Sequence, residues 1–154
     1  MQTPDKTAVL AAFHAHLQAA IEALQRGRDD ARAGTRVDGT HRPENRGERA
    51  AVTTQGYLTA GLAARAAELE EHLRALELID PGPRDRITPG ALVRLEDIGW
   101  TAVLPGGQGA KLRVDGVQIT VLSPDSPLGQ ALRGAEEGDE VPMRGTEVAV
   151  GVIR

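Results

Sequence analysis

The chain of 154 residues has no cysteine, which excludes disulfides, thiolate metal sites and a cysteine nucleophile. This suits a reducing compartment, and we expect a cytoplasmic protein. Aromatic residues make up only 2% of the sequence, one each of Phe, Tyr and Trp. Deep pockets for small molecules are usually lined with more aromatic side chains than that. An elongated helical part with an aliphatic core explains the composition better than a binding cleft does.

The sequence also lacks a long apolar run and an excess of positive charge. No segment reaches the roughly 20 apolar residues that span a bilayer, and Met1–Leu10 lacks the apolar stretch of a secretory signal. We therefore expect no membrane association. The formal net charge is −4, whereas proteins that bind nucleic acid through bulk charge have a basic surface. Any contact with RNA or DNA is expected to be indirect and held by a partner protein.

Helical periodicity dominates the chain from Pro4 to Ile79. A first apolar stripe with steps of three and four residues consists of Leu10, Phe13, Leu17, Ile21 and Leu24. A second stripe consists of Val52, Leu58, Leu62, Leu69, Leu73 and Leu76. The segment between them, residues 29–48, is rich in Arg, Asp and Gly. Two long helices joined by a polar segment are the simplest prediction.

The two stripes can face each other if the chain reverses near His41. That reversal brings Leu24 level with Leu58 and Leu17 level with Ala66. The sequence therefore predicts a long antiparallel helical hairpin, a coiled coil, over residues 1–80. The alternative is a broken three-helix arrangement in which glycines at 34 and 39 end one helix early. We expect a monomer, although an exposed stripe could pair with another chain instead.

The period becomes two after the Asp-Pro-Gly-Pro break at residues 80–83, through which neither a helix nor a strand continues. Short strands are predicted over residues 91–95, 100–104, 117–121, 140–143 and 147–153. A single helix, Pro127 to Arg133, interrupts them, with Ser126 as its N-cap and Gly134 at its end. We predict an α+β chain whose second domain, residues 81–154, is a small antiparallel sheet with one short helix.

The segment from Thr120 to Val141 resembles the C-terminal domain of the bacterial Gre transcript-cleavage factors and their Rnk-like relatives. Asp125–Pro127 (Asp-Ser-Pro) matches the turn with which that family docks on RNA polymerase. A docking turn shifted by three residues, at Ser123-Pro124, is the alternative. The resemblance implies an FKBP-like fold for the second domain and the RNA polymerase core as the partner.

The first domain resembles the same family at two places. Pro43-Glu44-Asn45 resembles the Ser-Glu-Asn of the family's hairpin tip, and Gln55–Leu58 (Gln-Gly-Tyr-Leu) resembles the Gln-Gly-Phe-Ile of its second helix. Family members deliver tip carboxylates through the secondary channel to the polymerase's magnesium. Carboxylate oxygens are the ligands that Mg²⁺ prefers. The resemblance implies Glu44 as a ligand shared with the polymerase and no cofactor bound by this chain alone.

His41 stands where the family has its essential aspartate, and with Arg42 it belongs to the predicted tip. A neutral imidazole is a poor Mg²⁺ ligand, and a protonated one repels the metal. Asp38 and Glu48 are the nearby acids that could compensate. The resemblance implies an elongation factor that is no enzyme itself and stimulates cleavage of backtracked transcripts. A channel-binding regulator without cleavage activity is the alternative.

Two rival signals are weaker. The Gly-Gly-Gln at residues 106–108 is the tripeptide of peptide-release factors, but here a Gly-rich hairpin connection explains it better. An FKBP-like fold also raises prolyl isomerase or chaperone activity, whose aromatic-lined pocket would have only Trp100 available. We expect Tyr57 to pack within the hairpin rather than to stack on a base. The histidines show no metal-ligand spacing.

Overall fold

The structure is a computed structural model that describes residues 2–35, 46–107 and 109–154, with side chains described for 2–32, 56–107 and 109–154. Within these residues the elements are α1 (Lys6–Thr35), α2 (Arg46–Glu77), β1 (Leu92–Leu95), β2 (Gly99–Val103), β3 (Lys111–Val114), β4 (Val117–Leu122), α3 (Pro127–Leu132), β5 (Glu140–Met143) and β6 (Thr146–Ile153). The predicted α+β class is confirmed. None of the described helices is long and apolar enough to cross a membrane.

The two long helices run in opposite directions. His14 near the start of α1 is hydrogen bonded to Glu77 at the end of α2, with 3.2 Å between Nε2 and Oε1. Further along α1, Gly27 lies against Leu62, whose Cδ1 would be 3.6 Å from an added Cβ. The predicted antiparallel hairpin is confirmed for the described residues. Its predicted tip falls within residues 36–45, outside them.

The predicted register of the hairpin is wrong by about two helical turns. A reversal centred on His41 would place Gly27 level with position 55, whereas it lies against Leu62. The cause is the heptad repeat in both helices, at Leu10, Leu17 and Leu24 in α1 and at Leu62, Leu69 and Leu76 in α2. A shift of one heptad keeps apolar residues level with apolar residues, so the pattern fits both registers.

Two residues predicted to pack within the hairpin are exposed instead. The side chain of Tyr57 is 76% exposed and that of Leu58 is 50% exposed. Phe13, Leu17, Ile21, Leu69 and Leu76 of the predicted stripes are buried as expected. The second apolar stripe is therefore buried at its C-terminal end and open at Leu58.

The six strands form one sheet in the order β3-β4-β2-β1-β6-β5. Every neighbouring pair is antiparallel except β2 and β4, which are parallel. The strand β3 was not among the five predicted strands. Because β4 lies between β2 and β3, the Gly-rich segment after β2 crosses over β4. The predicted hairpin connection at that segment is wrong.

One face of the sheet packs on α3. The buried cluster includes Ile87, Val93, Leu95, Val103, Leu132, Val141, Val148 and Val150. Alternate residues of the same strands point to the other face, and Trp100, Leu112, Ile119 and Val121 are buried there. Buried residues thus lie on both faces of the sheet, and the Asp-Ser-Pro turn at residues 125–127 follows β4, an internal strand.

The chain divides into two compact units, one made of Met1–His16 with His72–Arg154 and the other of Leu17–Glu71. The first unit holds the sheet, α3, the start of α1 and the end of α2. The second holds the remainder of the helix pair. The predicted domain boundary between residues 80 and 81 stays a prediction.

Within the first unit, Lys6 joins the start of α1 to the segment that follows α2. Its Nζ donates to the main-chain oxygen of Gly82 at 2.7 Å and to that of Arg154 at 3.2 Å. Arg84 donates to the oxygens of Gly82 at 3.0 Å and Asp80 at 2.9 Å. Burial, and then the nearby charge of Arg84, lower the pKa of Lys6 to about 8. Main-chain carbonyls thus hold this partly buried amine in place.

Candidate docking site

The Asp-Ser-Pro turn lies between the end of β4 and the start of α3. Ser126 has extended backbone angles (φ −66°, ψ 158°) and caps the helix, and Pro127 occupies its first turn. Proline suits that position because its missing N–H would have no helical partner there. The predicted N-cap is confirmed. After the helix, Gly134 has a φ of +79°, which fits its predicted role as the helix end.

The Ser126 hydroxyl is used entirely within the turn. It donates to the main-chain oxygen of Ser123 at 2.7 Å and accepts from the N–H of Gly129 at 3.0 Å. The Ser126 N–H also donates to the Ser123 oxygen, at 3.2 Å. The side chain therefore fixes the shape of the turn, and its hydroxyl has no donor left for a partner.

Asp125 is held by its main chain and exposed at its side chain. Its N–H donates to Ser123 Oγ at 3.3 Å, and its carbonyl oxygen accepts from Gln130 Nε2 at 3.0 Å. The carboxylate makes no hydrogen bond or ion pair within the part of the chain that the structure describes. A pinned backbone with a free, solvent-exposed charge is an arrangement suited to a cationic group on another molecule.

Gly129 permits the tight packing of this turn. A Cβ at Gly129 would overlap the main-chain oxygen of Ser123 and would be 3.0 Å from main-chain atoms of Pro124. Any other residue would push the turn away from the helix. Neither Gly129 nor Gln130 was among the residues predicted from the sequence to belong to the site. Gly129, the third residue of a short helix, was the available signal, because glycine is unfavourable inside helices without a packing reason.

Two grooves flank α3 next to the turn. The larger, about 410 Å³, is mostly apolar and is lined by Leu122, Ser126, Pro127, Leu128, Ala131, Pro142, Met143 and Arg144. The smaller, about 190 Å³, lies between residues 87–89 and the turn and includes Asp125 and Arg133. Neither is lined by an aromatic residue, and Trp100 is buried. An aromatic-lined isomerase pocket is therefore not found in these two grooves.

The second group of predicted site residues cannot be placed. Asp38, His41, Arg42, Pro43, Glu44 and Asn45 lie outside the described residues, and Glu48 lies in α2 with its side chain outside them. Within the described part of the chain, no three His, Cys, Asp or Glu residues are grouped so that they could hold a metal ion. The magnesium role of Glu44 and Asp38 stays a prediction.

The Gly-rich segment after β2 has a packing role. An added Cβ at Gly106, whose φ is +71°, would nearly overlap His72. His72 Nδ1 is buried and finds no hydrogen-bond partner in the described chain. The backbone of this segment therefore lies directly on His72 of α2, within the first unit. Close packing explains the glycine at 106 without any catalytic role.

No protein-family profile matches the chain, and no curated protein matches it. Among solved structures, the chain is similar to one described as the structure of the transcription factor Gfh1. The two are 21% identical, the alignment covers 92% of this chain and 91% of that chain, and the TM-score is 0.37.

Proposed function

We propose that this protein is a Gre-like transcription factor that docks on the RNA polymerase core through Asp125–Pro127. The observation that carries the proposal is the construction of the turn. The sequence that resembles the family's docking turn forms a pinned, helix-capped turn, and the carboxylate at its surface has no partner among the described residues. In this proposal the protein is a cytoplasmic monomer and an accessory factor, and the polymerase supplies the active site.

The three residues of the turn have different roles in this proposal. Asp125 offers the charge and meets a cationic group of the polymerase. Ser126 shapes the turn, since its hydroxyl is committed to Ser123 and Gly129. Pro127, which is exposed, contributes an apolar contact beside the groove of α3. Docking thus combines one charge with adjacent apolar surface, as protein interfaces usually do.

The helix pair reaches the polymerase active site through the secondary channel in this proposal. Glu44, with Asp38 as the second candidate, would help to hold the polymerase's magnesium, which stabilises charge when a backtracked transcript is cleaved. Contact with nascent RNA and with DNA is indirect, in keeping with the net charge of −4. Asp38 or Glu48 would have to take over from the aspartate that His41 replaces.

A channel-binding regulator without cleavage activity is the second candidate. The observation that favours it is His41 itself, since imidazole is a poor ligand for Mg²⁺. Such a protein would occupy the channel, compete with cleavage factors and leave backtracked transcripts intact. Both candidates share the docking step, so the docking step is tested first.

Binding to purified core polymerase of the same organism, measured for the wild type and for Asp125→Arg, tests the proposal. Reversing the charge should weaken binding by about tenfold or more, because it places like charges together at the contact. Glu96→Arg is the matched control: Glu96 is exposed on the turn after β1, and its reversal should change binding by less than about twofold. Thermal unfolding of each variant verifies folding. Equal binding by Asp125→Arg, or no binding by the wild type, would overturn the proposal.

A further inference from the structure

The docking turn is held by residues that follow it in α3. Gln130 reaches back with its side-chain amide to the Asp125 carbonyl, at 3.0 Å, although five residues separate them in the chain. Gln130 is itself exposed and lines neither of the two grooves beside α3. Its one described side-chain hydrogen bond goes to the turn. A side chain in this position controls the direction in which Asp125 is presented.

Gly129 acts on the same turn from the other side. The absence of a side chain lets the Ser123 carbonyl oxygen lie so close that it would overlap a Cβ. The same Ser123 oxygen accepts from both the N–H and the hydroxyl of Ser126. Moving this oxygen would disturb the N-cap and, through Ser123 Oγ, the hydrogen bond to the Asp125 N–H.

We infer that Gly129 and Gln130 are positioning residues for polymerase docking, acting through the main chain of Asp125. This inference rests on the proposed function. The Asp125 N–H donates to Ser123 Oγ, whose position Gly129 permits, and the Asp125 carbonyl oxygen accepts from Gln130 Nε2. Without these hydrogen bonds the turn samples other conformations, and apparent affinity falls with the fraction of molecules in the competent one.

The sharpest variant is Gln130→Met, which keeps the length of the side chain and removes the donor without adding charge. It should weaken polymerase binding by about two- to tenfold, the range that corresponds to one lost hydrogen bond. Gln118→Met is the matched control, because Gln118 is an exposed glutamine on β4, and it should bind like the wild type.

Gly129→Ala should weaken binding by more than about tenfold. Its control is Gly61→Ala in α2, where an added Cβ meets nothing within 4 Å.

A double-mutant cycle separates positioning from general destabilisation. If Gln130 acts through Asp125, Gln130→Met should have little further effect on binding in an Asp125→Asn background. A purely structural effect would lower the unfolding midpoint and weaken binding equally in both backgrounds. Equal weakening in both backgrounds, or wild-type binding by Gln130→Met, overturns the inference.

A second measurement needs no polymerase and keeps failure of the inference distinct from failure of the proposed function. Amide resonances of the ¹⁵N-labelled chain should shift in Gln130→Met for Asp125, Ser126 and Gly129, with unchanged shifts in the strands. If the wild type fails to bind polymerase while these resonances shift, the proposed function falls and the positioning of the turn stands. If the turn resonances stay in place, the positioning role is wrong whatever the polymerase does.

Discussion

At the scale of single residues, hydrogen-bonding capacity separates the group that shapes the turn at residues 125–127 from the group that is exposed and could meet a partner. The Ser126 hydroxyl donates its one proton to the Ser123 oxygen and accepts from the Gly129 N–H, both within the turn. The Asp125 carboxylate is exposed and has no partner within the described chain. The resemblance in sequence assigned both residues to docking alike. Only the geometry gives them different roles.

Replacing Ser126 by alanine removes the N-cap of α3 together with the hydrogen bond to Ser123. We expect the free energy of unfolding to fall by about 1 to 2 kcal/mol, the usual cost of losing a serine cap. Urea unfolding measures it. Ser126→Thr retains a hydroxyl with both hydrogen-bonding roles and serves as the control. An unchanged midpoint for the alanine variant would mean that the cap contributes nothing to stability.

Lys6 makes stability depend on pH in the alkaline range. Its pKa is about 8 in the folded chain and 10.5 as an ordinary lysine, so between these values the unfolded state binds more protons. The free energy of unfolding contributed by Lys6 therefore rises as pH increases from about 8 to 10.5. The difference in unfolding free energy between the wild type and Lys6→Met should grow in favour of the wild type over this range. A constant or shrinking difference would contradict the assigned environment.

At the scale of elements, periodicity identified the helices and most of the strands but could not choose between equivalent arrangements. The heptad repeat of Leu10, Leu17 and Leu24 fits two registers of the hairpin equally well. Strand β3 has only four residues, and two of them, Lys111 and Arg113, are charged and exposed at the edge of the sheet. Such a strand gives a weak apolar signal, although the Asp-Gly turn at residues 115–116, which joins Val114 to its partner Val117, is a signal for a hairpin.

Two glycines in the segment after β2 share a backbone conformation but differ in their contact with helix α2. Gly106 and Gly109 both have positive φ, +71° and +76°, but only Gly106 lies on another side chain, that of His72. Gly109→Ala should cost about 1 to 2 kcal/mol for the backbone conformation alone. Gly106→Ala should cost about 1 to 3 kcal/mol more, because the new methyl group collides with the imidazole.

Denaturant unfolding of both glycine variants tests this contact. His72→Ala introduced into the Gly106→Ala chain should recover part of the extra cost, since it removes the side chain that the methyl group meets. Equal destabilisation of the two single variants would show that the segment can move away from His72 without cost.

At the scale of the whole molecule, the sequence predicted the α+β class, the helical hairpin and the short helix with its serine cap. These features follow from local rules of periodicity and capping. Contacts between distant residues decide the register of the hairpin, the parallel pairing of β2 with β4 and the crossing of β4 by the segment after β2. For the same reason, the roles of Gly129 and Gln130 became visible only when the turn and the helix were seen together.

The proposed function joins a docking turn in one unit to a hairpin tip whose carboxylates act at the polymerase's magnesium. Its central claim is that both regions serve one activity on one partner. The departure at His41 makes that claim testable, because a tip that has lost the family's aspartate must rely on Glu44 and a compensating acid, Asp38 or Glu48.

The most direct measurement follows the release of short 3′ RNA fragments from stalled, backtracked elongation complexes incubated with the protein and magnesium. The account predicts release that is lost in Glu44→Gln and in Asp125→Arg and kept in Glu96→Arg. No release, with competition against an authentic cleavage factor, would assign the protein to the channel-binding regulators without cleavage activity. The absence of both release and competition would contradict the proposal that this protein acts on RNA polymerase.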